Sequence, residues 1–502
     1  MSRTFRRLPL ALAFAAVLAA GLPVAASDAV APASAVNATA GSAVDAAGLD
    51  AAALAAAAQL RDTAMAGSGA FAVVESLTTE VGPRLAGTEA DARAVAWAEA
   101  KFRELGFDEV YLEPVTFNVW WRGHERAAVV GAFAQPLVLT ALGGSIGTDG
   151  PLQAEVVAFP SLEALQAAPE GSLAGKIAFV NYRMERFRDG HGYSPASRIR
   201  GAGASEAAKK GAVALLIRSV GTDRDRLPHT GVMRYADGVA RIPAAALSNP
   251  DADQLQRLVD RGAPVRVELD IAAETRGEYT SHNVIGEIRG RELPDEVVVI
   301  GGHLDSWDLG TGAIDDASGV GITMAAGRLI GQLPQRPRRT VRVIAFANEE
   351  SGLFGGKAYA AARAAEDRIG DHQLVAESDF GAGRVYALRG GTEPAARPVL
   401  ERIGAVLAPI GVAYESEGGG PGPDVSPIAA LGAPWGQLAQ DGTDYFDWHH
   451  TANDTLDKVE PAALDQQVAA YAVMAFLAAE TTVDFGTIPV TPPAPSAPVK
   501  AN

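Results

Sequence analysis

The stretch GGHLDSWDLGTGAIDDASG, residues 301–319, carries one histidine and four aspartates within fourteen positions. It directly follows EVVVI (296–300), whose branched apolar residues predict a buried strand. Asp and Gly are ordinary in a solvated turn, so composition alone does not decide the role of this loop. Its position at the end of a core strand requires an explanation. Carboxylates crowded at such a buried position repel one another unless a cation neutralises them.

Strands and helices alternate from residue 282 to the last predicted helix. The segments that predict strands are HNVIGEI (282–288), EVVVIGG (296–302), RTVRVIAFA (339–347) and stretches near 384–388 and 434–439. The segments that predict helices are GVGITMAAGRLIGQL (319–333), GGKAYAAARAAE (355–366) and PAALDQQVAAYAVMAFLAAE (461–480). This alternation predicts an α/β fold whose mostly parallel or mixed sheet is flanked by helices.

Residues 126–273 differ from this pattern, since short strands and a few helices there predict a small β-rich domain inserted into the main one. His191 and His229 lie in this insert without a nearby carboxylate cluster in the sequence, so we expect a structural or substrate-gating role for the insert.

The predicted organisation is a signal peptide (1–26), an Ala-rich spacer or pro-segment (27–60), the N-terminal part of the main domain (61–125), the insert (126–273), the rest of the main domain (274–485) and a Pro-rich tail (486–502).

The N-terminus predicts export. Arg3, Arg6 and Arg7 precede the apolar run LPLALAFAAVLAAGLPV (8–24), and small residues before Ser27 predict cleavage after Ala26. A membrane anchor is the alternative, but the run is shorter than the ~20 residues that span a bilayer. We therefore expect a secreted or periplasmic protein with no stable membrane insertion after cleavage. The chain has no cysteine, which excludes disulfides and a lipid-modified cysteine.

The formal net charge of −17 argues against a nucleic-acid partner, which would require a basic surface. The sequence does not decide whether the protein forms a homodimer.

Four groups of polar residues fall at predicted strand ends, where α/β sheets gather functional groups. They are His303, Asp305 and Asp315; Glu349 and Glu350; Asp379; and His449 and His450. Each group alone has an ordinary explanation as a turn, a helix start or a surface loop. Together they bring imidazoles and carboxylates to one edge without any thiolate, a donor set that suits zinc or a similar divalent metal.

The order of these motifs resembles the dizinc peptidases of the M28 family. The shared motifs are GPRLAGT (82–88), the stretch 301–319, ANEESGLFGGKAYA (347–360), ESD (377–379) and DYFDWHHTANDTLDKV (444–459). Within the family, GHLDSWD and FDWHHTANDTLDKVEP resemble the carboxypeptidase Q, or plasma glutamate carboxypeptidase, branch. The insert is similar to the protease-associated domain that such enzymes carry. The resemblance covers most of residues 65–485.

The resemblance implies a role for each matched residue. His303 and Asp379 would bind one zinc, Glu350 and His450 the other, and Asp315 would bridge both. Glu349 would be the general base, and Asp305 would orient the His303 ring. A cis peptide is expected between Asp315 and Asp316. His449 remains the alternative to His450 as the ligand.

Two further residues have open roles. Tyr445 could donate a hydrogen bond to the oxyanion of the reaction, or merely pack beside a core strand. Asp424 falls where relatives carry an aspartate in the substrate pocket, so it could bind a peptide terminus or only cap a helix.

The function expected is that of an exported exopeptidase with two Zn²⁺ per chain, which hydrolyses dipeptides or short peptides. Aminopeptidase and carboxypeptidase action are not separated by these motifs. Two alternatives come from other classes: a metal-free, receptor-like binding module, and a single-zinc glutaminyl cyclase.

Overall fold

The computed structural model describes residues 44–489. The predicted signal peptide, residues 27–43 of the predicted spacer and residues 490–502 of the predicted tail lie outside the described residues.

The described chain contains helices of very different lengths. In chain order the α-helices are α1 (Ala51–Gly67), α2 (Ala70–Glu80), α3 (Glu89–Glu104), α4 (Leu162–Gln166), α5 (Tyr193–Lys209), α6 (Asn249–Val259), α7 (Ser318–Gly331), α8 (Phe354–Ala365), α9 (Arg397–Leu407), α10 (Ser426–Ala429), α11 (Tyr445–Trp448) and α12 (Pro461–Glu480).

The strands all join one sheet. They are β1 (Glu109–Val130), β2 (Gln135–Leu137), β3 (Leu139–Ala141), β4 (Leu152–Phe159), β5 (Lys176–Val180), β6 (Ala214–Arg218), β7 (Ala244–Leu247), β8 (Arg266–Ile288), β9 (Leu293–His303), β10 (Arg339–Phe346), β11 (His372–Glu377), β12 (Val385–Gly391), β13 (Ala413–Tyr414) and β14 (Trp435–Gln440).

The sheet is mixed, and the predicted fold class is confirmed. Its strand order is β13-β12-β14-β11-β9-β10-β8-β4-β5-β6-β7-β3, with β1 paired to β8 and β2 to β1. Strands β14, β11, β9 and β10 are parallel to one another, and so are β4 to β7 within the insert. Strand β8 is antiparallel to β10, β1 and β4. It therefore joins the two parallel sets.

Strands β1 and β8 form a ribbon that is much longer than the strand predicted at 282–288. They have 22 and 23 residues and pair in antiparallel fashion from Glu109–Glu287 to Val130–Arg266. HNVIGEI (282–288), which the sequence predicts as a separate strand, is the C-terminal part of β8. Both predicted boundaries of the insert, at 125/126 and 273/274, lie inside this ribbon. The insert is thus connected to the rest of the sheet by paired strands rather than by loops.

Helix α1 begins within the predicted spacer, and Asp50 caps it by accepting a hydrogen bond from the backbone N–H of Ala53 at 2.8 Å. Its buried residues, Ala53, Ala57, Leu60 and Ala64, recur at helical spacing, and α1 packs against α12. Helix α12 is long and apolar enough to cross a membrane, but 89% of its most apolar stretch is buried inside the protein. Such burial is typical of a core helix.

Candidate metal centre

Three parallel strands end at the edge where the candidate residues gather. Strand β9 ends at His303, β10 is followed by Glu349 and Glu350, and β11 is followed by Asp379. In the sheet, β9 lies between β10 and β11. Because neighbouring parallel strands end on the same side, side chains far apart in sequence meet there.

The loop between β9 and α7 brings Asp315 to this edge, and two buried charged residues hold its backbone. Arg84 donates hydrogen bonds to the backbone oxygens of Leu304, Thr311 and Gly312 at 2.5, 2.7 and 3.0 Å. Asp454 accepts one from the backbone N–H of Ile314 at 2.7 Å. Sequence reasoning missed both roles. The motifs GPRLAGT and TANDT were visible, but nothing local indicated that they touch this loop.

One group of donors surrounds the end of β9. His303 Nε2 lies 3.0 Å from Asp315 Oδ1 and 3.5 Å from Asp379 Oδ1. The other ring nitrogen, Nδ1, lies 3.0 Å from the backbone oxygen of Asp305, to which it can only donate. The lone pair of Nε2 therefore faces the two carboxylates, so His303, Asp315 and Asp379 could hold a metal ion together.

A second group lies on the other side of Asp315. His450 Nε2 is 2.9 Å from Glu350 Oε2 and 3.2 Å from Asp315 Oδ2. His450 Nδ1 donates to the backbone oxygen of Thr230 at 3.2 Å, which again leaves the Nε2 lone pair facing the carboxylates. His449 stacks on His450 with ring centroids 3.5 Å apart. Its Nε2 is 3.6 Å from Asp315 Oδ2, and its Nδ1 has no hydrogen-bond partner among residues 44–489.

The donor atoms fit divalent cations. Asp315 Oδ2 and Glu350 Oε1 are buried and accept no hydrogen bond from any residue in the range 44–489. Such orphaned carboxylate oxygens are costly without a cation. Asp315 belongs to two clusters of three potential ligands, His303 with Asp315 and Asp379, and Asp315 with His449 and His450, and within each cluster the donor atoms lie within 4.8 Å of one another. Glu350 joins the second cluster through its contact with His450 Nε2 at 2.9 Å. Imidazole nitrogens and carboxylate oxygens are ligands that zinc accepts.

The electrostatics of the site also favour positive charge. Burial and the carboxylates of Asp315 and Asp379 raise the pKa of Glu350 well above its usual range. Burial opposes protonation of His303, yet the carboxylates of Asp305, Asp315 and Asp379 raise the pKa of this ring well above its ordinary value. Without a metal, these acidic groups retain protons that reduce their mutual repulsion. A divalent cation can replace those protons and stabilise the ionised carboxylates.

Asp305 connects two of the strand ends. Its carboxylate accepts hydrogen bonds from the backbone N–H groups of Glu349 and Glu350 at 3.0 and 3.4 Å. The same carboxylate is 3.5 Å from His303 Nδ1, which lies closer, at 3.0 Å, to the backbone oxygen of Asp305. The residue thus contacts the His303 ring through two atoms. The peptide between Asp315 and Asp316 is cis, and the Asp316 carboxylate accepts from the backbone N–H groups of His303 and Gly319.

A cleft of about 410 Å³ opens over these donors. Glu349 lines it, but among residues 44–489 its carboxylate is within ion-pair distance of neither His303 nor His450, whereas that of Glu350 contacts His450. Burial and the charges of Asp379 and Glu350 raise the pKa of Glu349 well above its usual range. Tyr445 also lines the cleft, with its ring 4.9 Å from the rings of both Phe380 and His449.

Asp424 lies beside the site in a buried position. Its Oδ1 accepts a hydrogen bond from the backbone N–H of Gly356 at 3.1 Å, near the start of α8, while its Oδ2 has no partner within residues 44–489. Its own backbone N–H donates to Glu377 Oε2 at 2.7 Å. Burial and the charges of Asp305 and Asp379 raise the pKa of Asp424 to about 8. The residue contacts a helix start and keeps one oxygen free.

The insert holds the histidine loop directly. His229 Nδ1 donates to the backbone oxygen of His449 at 2.7 Å, and His229 Nε2 lies 2.5 Å from Asp223 Oδ2. The backbone N–H of Thr230 donates to the backbone oxygen of His450 at 3.0 Å. His450 has a left-handed backbone with φ +62°, uncommon for histidine, and these bonds hold it there. Sequence reasoning noticed His229 but not this contact.

A site of this kind, with two groups of nitrogen and oxygen donors around a shared aspartate at the edge of a mixed sheet, is typical of metal-dependent hydrolases. Residues 283–475 match the family described as Peptidase family M28. Carboxypeptidase Q of Bos taurus is 35% identical over 406 residues, which cover 80% of this chain and 84% of that protein. The chain therefore belongs to peptidase family M28 and is a metallopeptidase.

Solved structures agree with the fold. A crystal structure of a peptidase M28 precursor from Shewanella amazonensis SB2B superposes with a TM-score of 0.85 and 51% identity, covering 87% of this chain and 99% of that chain. BSAP, a zinc aminopeptidase from Bacillus subtilis, has a TM-score of 0.60 and 19% identity over 84% of this chain and 97% of that chain. At that identity the likeness concerns the fold alone.

Proposed function

We propose that this peptidase is an exported exopeptidase that uses two zinc ions to hydrolyse dipeptides or short peptides. The observation that carries the proposal is Asp315, whose two carboxylate oxygens face different donor groups. His303 and Asp379 would complete one zinc site, and Glu350 and His450 the other. His450 is preferred to His449 because its Nε2 approaches both Glu350 and Asp315, with Nδ1 already bonded to Thr230.

When bound, the two zinc ions would supply Lewis acidity, which lowers the pKa of the attacking water and polarises the scissile carbonyl. Glu349 lines the cleft and is not needed as a ligand, so its carboxylate takes the proton of that water and returns it to the leaving amine. Asp305 positions both partners, since it contacts the His303 ring and fixes the backbone of Glu349.

Tyr445 is proposed to donate a hydrogen bond to the oxyanion. Burial and the charges of Asp315 and Asp379 raise the pKa of its phenol well above the ordinary value. The hydroxyl therefore keeps its proton at neutral pH and remains a donor.

The size of the cleft supports short substrates. A volume of about 410 Å³ accommodates one or two residues beside the catalytic groups rather than a long internal segment. The export signal predicted at residues 1–26 supports a reaction outside the cytoplasm. Peptides present there are thus the proposed substrates.

The test is a panel of dipeptides, longer peptides and aminoacyl dyes, assayed with zinc and with a chelator. We expect hydrolysis of the short peptides at a chain end, loss of activity on chelation, recovery on adding zinc, and close to two zinc ions per chain by elemental analysis. Peptide binding without hydrolysis in zinc-loaded protein would favour the binding module instead. A single zinc together with cyclisation of N-terminal glutamine would favour the cyclase.

A further inference from the structure

Helix α11 carries Tyr445 to the cleft, yet little within the helix itself fixes its position. It has only four residues, and its N-cap, Asp444, makes no capping bond with its side chain. Isolated helices of that length are not stable in water. No residue in the range 44–489 hydrogen-bonds the Tyr445 hydroxyl, and the ring packs against Phe380 and His449. The position of Tyr445 therefore depends on the contacts that α11 makes with other parts of the chain.

A single arginine of the insert binds the chain on both sides of Tyr445. Arg186 Nη1 donates to Asp444 Oδ1 at 2.6 Å and to the backbone oxygen of Thr443 at 3.0 Å. Arg186 Nη2 donates to both carboxylate oxygens of Asp447, at 2.5 and 2.7 Å. One guanidinium thus connects the residues before and after Tyr445 to the insert.

Other hydrogen bonds join the same segment to the insert. The backbone N–H of Thr222 donates to the backbone oxygen of Phe446 at 3.0 Å, and its hydroxyl donates to Asp447 Oδ1 at 2.8 Å. The backbone N–H of Gly442 donates to the backbone oxygen of Arg188 at 2.9 Å. The segment that precedes the histidine pair therefore lies against the insert, and the ion pairs are one part of that interface.

The arrangement of these ion pairs distinguishes them from ordinary surface pairs. Isolated exposed pairs contribute little to stability, whereas pairs that form a network contribute more. Arg186 contacts both oxygens of Asp447, whose side chain is 20% exposed, and it also pairs with Asp444. Arg183, three residues earlier, instead pairs with Asp253 inside the insert. Arg186 thus differs from its neighbour because it joins the insert to the helix of the proposed oxyanion donor.

We infer that Arg186 is a positioning residue, which binds Asp444 and Asp447 and so holds α11 with the Tyr445 hydroxyl at the oxyanion. This inference rests on the proposed function, in which Tyr445 is that donor. Among residues 44–489, the hydrogen-bond and ion-pair partners of Arg186 include none of the proposed metal ligands. Its contribution should therefore appear in the rate and not in the zinc content.

The experiment is a double-mutant cycle on the zinc-loaded full chain, with the dipeptide alanyl-alanine as substrate. Arg186→Met should lower kcat by up to about tenfold, the most that losing the Tyr445 hydrogen bond itself is expected to cost. KM should stay unchanged, because the oxyanion forms only during the reaction. In a Tyr445→Phe background, Arg186→Met should lower kcat by less than about twofold, because no hydroxyl is left to position.

Two further variants control the cycle. Arg183→Met removes a cation of the same loop that does not contact α11, so kcat should stay at the wild-type value. Arg186→Lys keeps the charge but cannot bind both acids through a planar fork, so it should recover part of the rate lost in Arg186→Met. Zinc content is measured for every variant and should remain that of the wild type.

Hydrogen exchange provides a measurement that does not depend on activity. Within and next to α11, the backbone N–H of Tyr445 donates to Gly442 at 3.2 Å, and that of His449 donates to Tyr445 at 3.0 Å. Exchange of these two amides reports local opening of the helix. It should be faster in Arg186→Met and unchanged in Arg183→Met.

The results that overturn the inference differ from those that overturn the function. An equal loss of kcat from Arg186→Met with and without the Tyr445 hydroxyl would show that Arg186 does not act through Tyr445. Wild-type kcat or wild-type exchange in Arg186→Met would also contradict positioning. Full activity in Tyr445→Phe would remove the proposed donor and this inference with it, while the zinc peptidase function would stand. If the zinc-loaded wild type hydrolyses no peptide of the panel, the proposed function fails and the inference fails with it.

Discussion

The cleft has two walls built by different parts of the chain, and they contribute different chemistry. The wall from the main domain carries the carboxylates and imidazoles, at the ends of strands β9, β10 and β11 and in the loops that hold Asp315 and His450. The wall from the insert carries guanidinium groups, and the backbone N–H of Thr230 and the side chain of His229 donate hydrogen bonds to the histidine loop. The first wall supplies the proposed catalytic groups, and the second holds the histidine loop. A region that carries none of the proposed metal ligands can thus still shape the candidate metal site.

One contact from each wall illustrates how the separation in sequence limits what a motif can reveal. His303 and Asp315 are 12 positions apart, whereas His229 and His449 are 220 apart. Short separations produce motifs that can be recognised in a single sequence. Long separations depend on the sheet order, and here on the β1–β8 ribbon that carries the insert to the cleft.

The largest effect is expected from removing the residue shared by both donor groups. Asp315→Ala should lose both zinc ions and reduce hydrolysis to the background, because each group is left with two ligands. Elemental analysis of the purified variant measures this. Asp308→Asn, in the same loop but bonded to Arg122, is the matched control and should retain both metals. Two tightly bound zinc ions in Asp315→Ala would contradict the bridging role.

The next effect separates the two neighbouring glutamates of the catalytic wall. Glu349→Gln should keep both zinc ions and lower kcat by about 10²–10⁴-fold with little change in KM, because only the proton acceptor is lost. Glu350→Gln should weaken or lose one zinc, because an amide oxygen is a poorer ligand than a carboxylate. The reverse pattern, with metal lost only in Glu349→Gln, would exchange the two assignments.

A smaller effect is expected from the supporting wall. His229→Ala removes the donor to the backbone oxygen of His449, so the left-handed backbone of His450 is held less firmly. Partners that orient ligands are typically worth about 10- to 100-fold in metal affinity or activity. Zinc affinity measured by competition with a chelator should fall in that range, for one of the two ions. His191→Ala, an exposed histidine of the insert, is the control. Unchanged affinity in His229→Ala would limit the insert to substrate selection.

The sequence predicted much of the first wall and little of the second. The mixed sheet and the strands that end at His303, Glu349 and Asp379 follow from apolar runs and their polar ends, and the structure brings those residues together. Arg84, Asp454 and His229 act through partners in distant segments, so neither periodicity nor spacing indicated their contacts. The length of β1 and β8 was also missed, because alternation weakens where the ribbon is exposed on both faces.

The smallest effect concerns Tyr445, which belongs to the main domain but could serve either as a donor or as packing. Its ring lies against Phe380 and His449, and a phenylalanine can keep those contacts. Tyr445→Phe therefore removes only the hydroxyl. A neutral hydrogen bond is worth about 1 kcal/mol net, so kcat should fall by roughly tenfold or less while KM, zinc content and the thermal unfolding midpoint stay unchanged. Tyr445→Ala would remove the packing as well and should also lower the unfolding midpoint. Full activity in Tyr445→Phe together with a destabilised Tyr445→Ala would show that the ring only packs, and the oxyanion would then depend on the metal ions and the rest of the cleft.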